Sequence, residues 1–104
     1  MTLIAFLSVA PVIEGSMSGE VAKAVAALED FAVSYETTPM GTIIETDDPD
    51  ELFAAAQAAH QAVDADRVET FLKIDDKRTT EQQAGEKVEA VEQHLGHEAQ
   101  SDRE

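Results

Sequence analysis

Apolar residues run almost unbroken from Leu3 to Val9, with Ser8 the one polar interruption. So short a run, apolar at successive positions, predicts a strand covered on both faces. Pro11 to Gly15 reads as a loop. Ser18 then stands where it can cap a helix, with Glu20 in the favourable first turn and Val21, Ala24, Val25, Leu28 and Phe31 on one face. The period next changes to two: Val33, Tyr35 and Thr37 alternate with Ser34, Glu36 and Thr38, which predicts a half-exposed strand. Thr38-Pro39-Met40-Gly41 follows as a tight turn, because Pro39 fixes φ and Gly41 frees the backbone two residues later. A second strand runs from Gly41 to Thr46.

Asp48-Pro49-Asp50-Glu51 marks a helix start, with Asp at the N-cap, Pro at the first helical position and Glu at the third. The apolar face of that helix reads Leu52, Phe53, Ala56, Ala59, His60 and Val63. Arg67 to Ile74 is a fourth strand, in which Val68, Thr70, Leu72 and Ile74 oppose Glu69, Phe71 and Lys73. Thr80 with Gln83 can box a last helix, whose Ala84, Val88, Val91 and Leu95 share one side until Gly96 stops it. The order β-α-β-β-α-β-α predicts an α+β fold, a ferredoxin-like antiparallel sheet with two helices on one face and an additional C-terminal helix. Residues 1–96 are expected to form this single domain, and 97–104 a flexible acidic tail.

If Thr70, Leu72 and Ile74 face the helices, the opposite surface of the sheet carries Ile4, Phe6, Ile43 and Phe71 among Ser8, Glu36, Glu45 and Lys73. An apolar patch of that extent on a monomer would face water. The expected remedy is sheet-to-sheet association in a homodimer, with the last helix offering a second contact surface for a homotetramer.

Composition narrows the function. The 104 residues are 43% apolar and 28% charged, which suits one globular domain. There is no Cys, so disulfides, thiolate metal sites and cysteine nucleophiles are excluded. Leu3–Val9 is short for a signal sequence and far below membrane-spanning length, and a cytoplasmic protein is expected. The formal charge is −15, from 22 acids against seven bases. Nucleic acid and anionic membranes are therefore not expected as partners. Such a charge repels itself unless salt screens it, and at about 1 M the Debye length is about 3 Å. A salt-adapted, halophilic surface follows.

Chemistry-bearing residues are few. His60 reads as a packed or boundary residue, and His94 with His97 as part of a solvated helix end, so no metal site is expected. The hydroxyls of Ser8, Thr38 and Thr42 have no His within a predictable distance, which points to a binder and not an enzyme. Glu45 ends the apolar run Ile43-Ile44 on the outer face. A carboxylate there, with Phe71 to stack and Ser8 nearby, could hold a cationic or amino-bearing ring. The competing reading pairs Glu45 with Lys73 and makes the outer face a structural or regulatory self-assembly surface without a small-molecule ligand.

Three segments carry a family likeness: Ile4 to Pro11 with Ser8-Val9, Tyr35 to Glu45 with Thr38-Pro39-Met40-Gly41-Thr42, and Phe71-Leu72-Lys73-Ile74-Asp75-Asp76-Lys77-Arg78. In order and spacing, over roughly residues 3–95, the chain resembles the UPF0045 family of small thiamine-binding proteins, related to the YkoF-like domains. The resemblance implies a ferredoxin-like domain assembled as dimers or tetramers, which binds thiamine or its hydroxymethylpyrimidine part without catalysis and without a further cofactor. By position it implies ligand contacts at Ser8, Thr38, Met40, Gly41, Thr42 and Glu45, to which the residue reading adds Phe71. Phe6 and Thr46 depart from the pattern, at positions where a charged residue and Gly are usual.

Overall fold

A computed structural model describes residues 2–79 and 84–99. In it β1 (Leu3–Pro11), α1 (Ser18–Ala27), a 3₁₀ turn (Leu28–Asp30), β2 (Ser34–Thr38), β3 (Gly41–Thr46), α2 (Pro49–Ala62), β4 (Val68–Asp76) and α3 (Ala84–Leu95) follow one another. The four strands form one antiparallel sheet in the order β2-β3-β1-β4. This is the ferredoxin-like arrangement that the element order predicts, with α3 appended.

The two-residue period assigns the faces. Leu3, Ala5, Leu7 and Val9 of β1 and Thr42, Ile44 and Thr46 of β3 are buried, and their neighbours on each strand are half-buried. The buried set meets Ala24 and Leu28 from the first helical segment and Leu52, Ala55, Ala56, Ala59 and Val63 from the second, in one hydrophobic core. Leu28, Ile44 and Leu52 are the largest side chains fully enclosed there. Burial on this side alone corrects the expectation that β1 is covered on both faces. Within one chain the helices shield only one side, and Ile4, Phe6 and Ser8 look outward.

Local chemistry explains several element ends. At α2 the Asp48 carboxylate accepts the Asp50 and Glu51 amide N–H groups at 2.9 and 3.4 Å, and Pro49 opens the first turn. Thr46 adds to this junction: its hydroxyl donates to the Ala32 carbonyl at 3.0 Å and accepts the Asp48 N–H at 3.2 Å. Thr46 is thus a structural residue of this junction. α1 begins differently from expectation. Met17, not Ser18, holds its cap position and makes no side-chain cap bond. Ser18 is the first helical residue, its N–H directed to Ser16 Oγ at 3.3 Å.

Two residues read as part of the α2 core face lie outside it. Phe53 is 57% exposed, and His60 is exposed with its Nδ1 against Thr70 Oγ1. The buried arc of α2 is centred on Leu52, Ala55, Ala56 and Ala59, and Phe53 sits about 100° round the helix from Leu52. At the far end of the chain α3 stops at Gly96, which adopts φ +80° and donates its N–H to the Glu92 carbonyl at 2.9 Å. The capping box read at Thr80 and Gln83, and residues 100–104 of the acidic tail, lie outside the described residues. No described helix is long and apolar enough to cross a membrane.

Candidate functional site

β1 and β3 stop pairing before β1 ends. Their ladder runs from Leu3–Thr46 to Leu7–Thr42, whereas β1 continues against β4 as far as Pro11–Val68. Beyond Leu7 the strand therefore keeps one edge without a neighbouring strand. The β2–β3 turn closes below that gap and α1 passes beside it, leaving a cavity of about 220 Å³.

Its walls differ in character. Met17, Val21, Ala24, Val25 and Leu28 of the helical side are apolar. The strand and turn side comprises Leu7 to Ala10 and Thr37 to Thr42, and supplies hydroxyl and main-chain groups. Among the described residues, no ionisable side chain lines the space. Of the residues singled out from sequence, Ser8, Thr38, Met40, Gly41 and Thr42 come together here.

The turn that forms the floor is fixed by its own hydrogen bonds. Thr38 Oγ1 donates to the Gly41 carbonyl at 2.8 Å and accepts the N–H groups of Met40 and Gly41 at 3.2 and 3.3 Å. Its hydroxyl is therefore committed to shaping the turn. Thr42 is 5% exposed, and its hydroxyl lies 3.5 Å from that of Thr37. Gly41 passes under the ring of Phe6: an added Cβ would stand 2.5 Å from Phe6 Cζ and 3.0 Å from the Leu7 carbonyl oxygen. Phe6 in turn meets Phe71 edge-on, with centroids 6.1 Å apart. The aromatic residue at position 6 thus covers a turn that has no side chain of its own there.

Glu45 and Phe71 stand apart from this cavity, which corrects the expected cluster. Register sets Glu45 opposite Ile4 and Ser34, while Phe71 lies opposite Ser8. Those rows lie a four-residue step apart along β1, from Ile4 to Ser8, about 13 Å. Glu45 instead borders a shallow depression with Ser34, Thr46, Asp47 and Asp48. Glu45 and Lys73 form no ion pair among the described residues. Val21, Ala24, Val25 and Leu28 of the helical wall were legible in sequence only as the apolar face of a helix, Val9 only within the Ser8-Val9 pair of the family likeness, and Met17 and Thr37 carried no signal that would single them out.

A latch holds the apolar wall. Glu20, in the first turn of α1, accepts the Asp64 N–H at 2.7 Å and pairs with Lys23 at 2.8 Å. The Lys23 hydrogen bond, then that from Asp64, lowers the Glu20 pKa from its ordinary value. A lowered folded-state pKa stabilises above the unfolded glutamate value of about 4.3, and that contribution is lost as pH falls through the lower folded value. NMR titration of the Glu20 carboxyl should therefore show a midpoint below that of an unfolded glutamate, with the Asp64 amide resonance moving at the same pH. A Glu20 midpoint at the unfolded value would show the latch to be open in solution.

Comparison with known proteins follows the same outline. Residues 5–92 match the family described as thiamine-binding protein. A UPF0045 protein of Methanothermobacter thermautotrophicus is 47% identical over 83 residues, covering 77% of this chain and 84% of that one. A second UPF0045 protein, from Methanocaldococcus jannaschii, is 36% identical over 92 residues, covering 86% and 91%. Its crystal structure superposes with a TM-score of 0.80 at 35% identity, over 86% of this chain and 95% of that one. A structure from Thermotoga maritima, assigned provisionally to thiamine biosynthesis or salvage, gives 0.69 at 23% identity, over 88% and 99%. At that identity it speaks for the fold alone.

Proposed function

The chain belongs to the thiamine-binding protein family, and from that premise we propose that it binds thiamine or its hydroxymethylpyrimidine part without catalysis, in the cavity between α1 and the β2–β3 turn. The observation that carries this reading is a pocket with one apolar wall, one hydroxyl and main-chain wall, and, among the described residues, no ionisable side chain. Its 220 Å³ falls below the range of about 300–1,000 Å³ usual for drug-sized ligands. It suits a single substituted ring. The neutral pyrimidine enters, and the thiazolium, a fixed cation, stays at the mouth, since an unpaired buried charge costs several kcal/mol. The net charge of −15 favours the approach of such a cation.

Calorimetric titration at high salt tests this. Thiamine and 4-amino-5-hydroxymethyl-2-methylpyrimidine should both release heat, with affinities within about tenfold because the shared ring makes the buried contacts. Absence of heat and of any thermal shift with either at millimolar concentration would remove the proposal. Glu45→Gln should leave pyrimidine affinity unchanged, given its distance from the cavity. A tenfold loss would instead return the site to the outer face.

The outer face supports a further part of this reading, association with a second copy. Ile4, Phe6 and Ile43 are only half-buried there and Phe71 is 59% exposed. On α3, Val88, Val91 and Leu95 are each at least half exposed along one side, a second surface for a tetramer. Glu45 and Phe71 belong to this assembly surface in the proposed arrangement. Sedimentation at micromolar concentration in high salt should give a dimer or tetramer. The acidic composition supports a salt-adapted cytoplasmic setting.

A further inference from the structure

The gap beside β1 has a polar feature that side chains do not reveal. Antiparallel strands point the N–H and C=O of alternate residues to opposite neighbours. The Val12 N–H donates to the Arg67 carbonyl at 2.8 Å, continuing the β1–β4 register. That bond sets the phase: even-numbered residues of β1 bond β4, and odd-numbered ones face β3. Leu7 finds Thr42 on that side, in the last pair of the ladder. Val9, the next odd residue, would need Met40 as its partner. Met40 has already left the strand for the turn, its side chain 80% exposed.

Among the described residues, none of the main-chain bonds made by turns and loops reaches Val9. Yet Val9 is only 6% exposed and lines the cavity. A buried amide without a partner is rare and costly. The next odd position is Pro11, which has no N–H to leave unpaired. Val9 is thus the one residue on this free edge that presents both a donor and an acceptor to the cavity.

We propose that the main-chain N–H and C=O of Val9 are the hydrogen-bonding handle of the site, and that they select a ring with an amidine-type edge, a ring nitrogen beside an exocyclic amino group. The proposal rests on the functional reading above and deepens it. The ring nitrogen accepts from the Val9 N–H while the amino group donates to the Val9 carbonyl, as a neighbouring strand would. A 4-aminopyrimidine has this edge. Side-chain hydroxyls then serve fit more than recognition, consistent with Thr38 being held by its turn.

Proton–nitrogen correlation spectra of the full-length chain test it. Saturation with 4-amino-5-hydroxymethyl-2-methylpyrimidine should move the Val9 amide proton downfield and slow its exchange with solvent. The analogue with hydrogen in place of the amino group should bind at least about tenfold more weakly, since it leaves the buried carbonyl unpaired. Replacing Val9 by its α-hydroxy acid, which turns the amide into an ester, should cost binding similarly while leaving the melting temperature nearly unchanged. Binding with the Val9 amide unmoved, or equal affinity for the two pyrimidines, would overturn the handle and leave the function standing. Failure of any pyrimidine to bind would overturn both.

Discussion

Replacing Val21 by Phe is expected to weaken pyrimidine and thiamine binding by about a hundredfold, close to 2.8 kcal/mol, with the fold retained. Val21 lies on the α1 wall of the cavity and is only half-buried, so a larger side chain there has room to be accommodated without opening the core. A phenyl ring directed across a space of about 220 Å³ would take much of the volume a single ring needs. The largest enclosed side chains of the core, Leu28, Ile44 and Leu52, keep their identity. Calorimetry for binding and a thermal melt for folding separate the two effects. Unaltered affinity in a folded Val21→Phe variant would mean that the ligand sits elsewhere.

Gly41→Ala is expected to cost about 2–3 kcal/mol of stability, at the upper end for overpacking. The added methyl would lie 2.5 Å and 2.7 Å from Cζ and Cε1 of Phe6, and 3.0 Å from the Leu7 carbonyl oxygen. The ring is held by its edge contact with Phe71, and the carbonyl belongs to the β1–β3 ladder, so neither yields freely. Truncating the ring should relieve most of the clash. In a Phe6→Ala background the cost of Gly41→Ala should therefore fall by at least about 1 kcal/mol, measured as a double-mutant cycle in urea. Additive effects would show that the turn does not lean on the ring.

These two residues also mark how far sequence reading reaches. Period-two alternation assigned Ser34, Glu36 and Thr38 to one face of β2 and Thr70, Leu72 and Ile74 to the other face of β4, as the register shows. Alternation says which face a residue is on. It does not say which row. Rows along β1 depend on non-local pairing, and this is why Glu45 could be read as a neighbour of Phe71 when their rows lie a four-residue step apart. The cap at Asp48 was legible because the bonds that make it are local. Phe53 was misread because hydropathy records what a side chain prefers, whereas the buried arc of α2 is narrow and lined with alanines.

The cavity itself was beyond the chain's local grammar. Its walls come from a strand that outlasts its partner, a turn fixed by one threonine and a helix distant in sequence. Residues such as Val21, Ala24 and Leu28 have the same spacing whether they seal a core or border an opening.

Phe6 stands between two compartments of the molecule, its ring lying against Gly41 and Phe71. A neighbour settling on that ring presses on the turn that floors the cavity. Under the proposed assembly, self-association and ligand uptake become thermodynamically linked: whatever factor the pyrimidine adds to the association constant, association adds to pyrimidine affinity. The apparent affinity should then vary with protein concentration, and a measured value is incomplete without that concentration beside it.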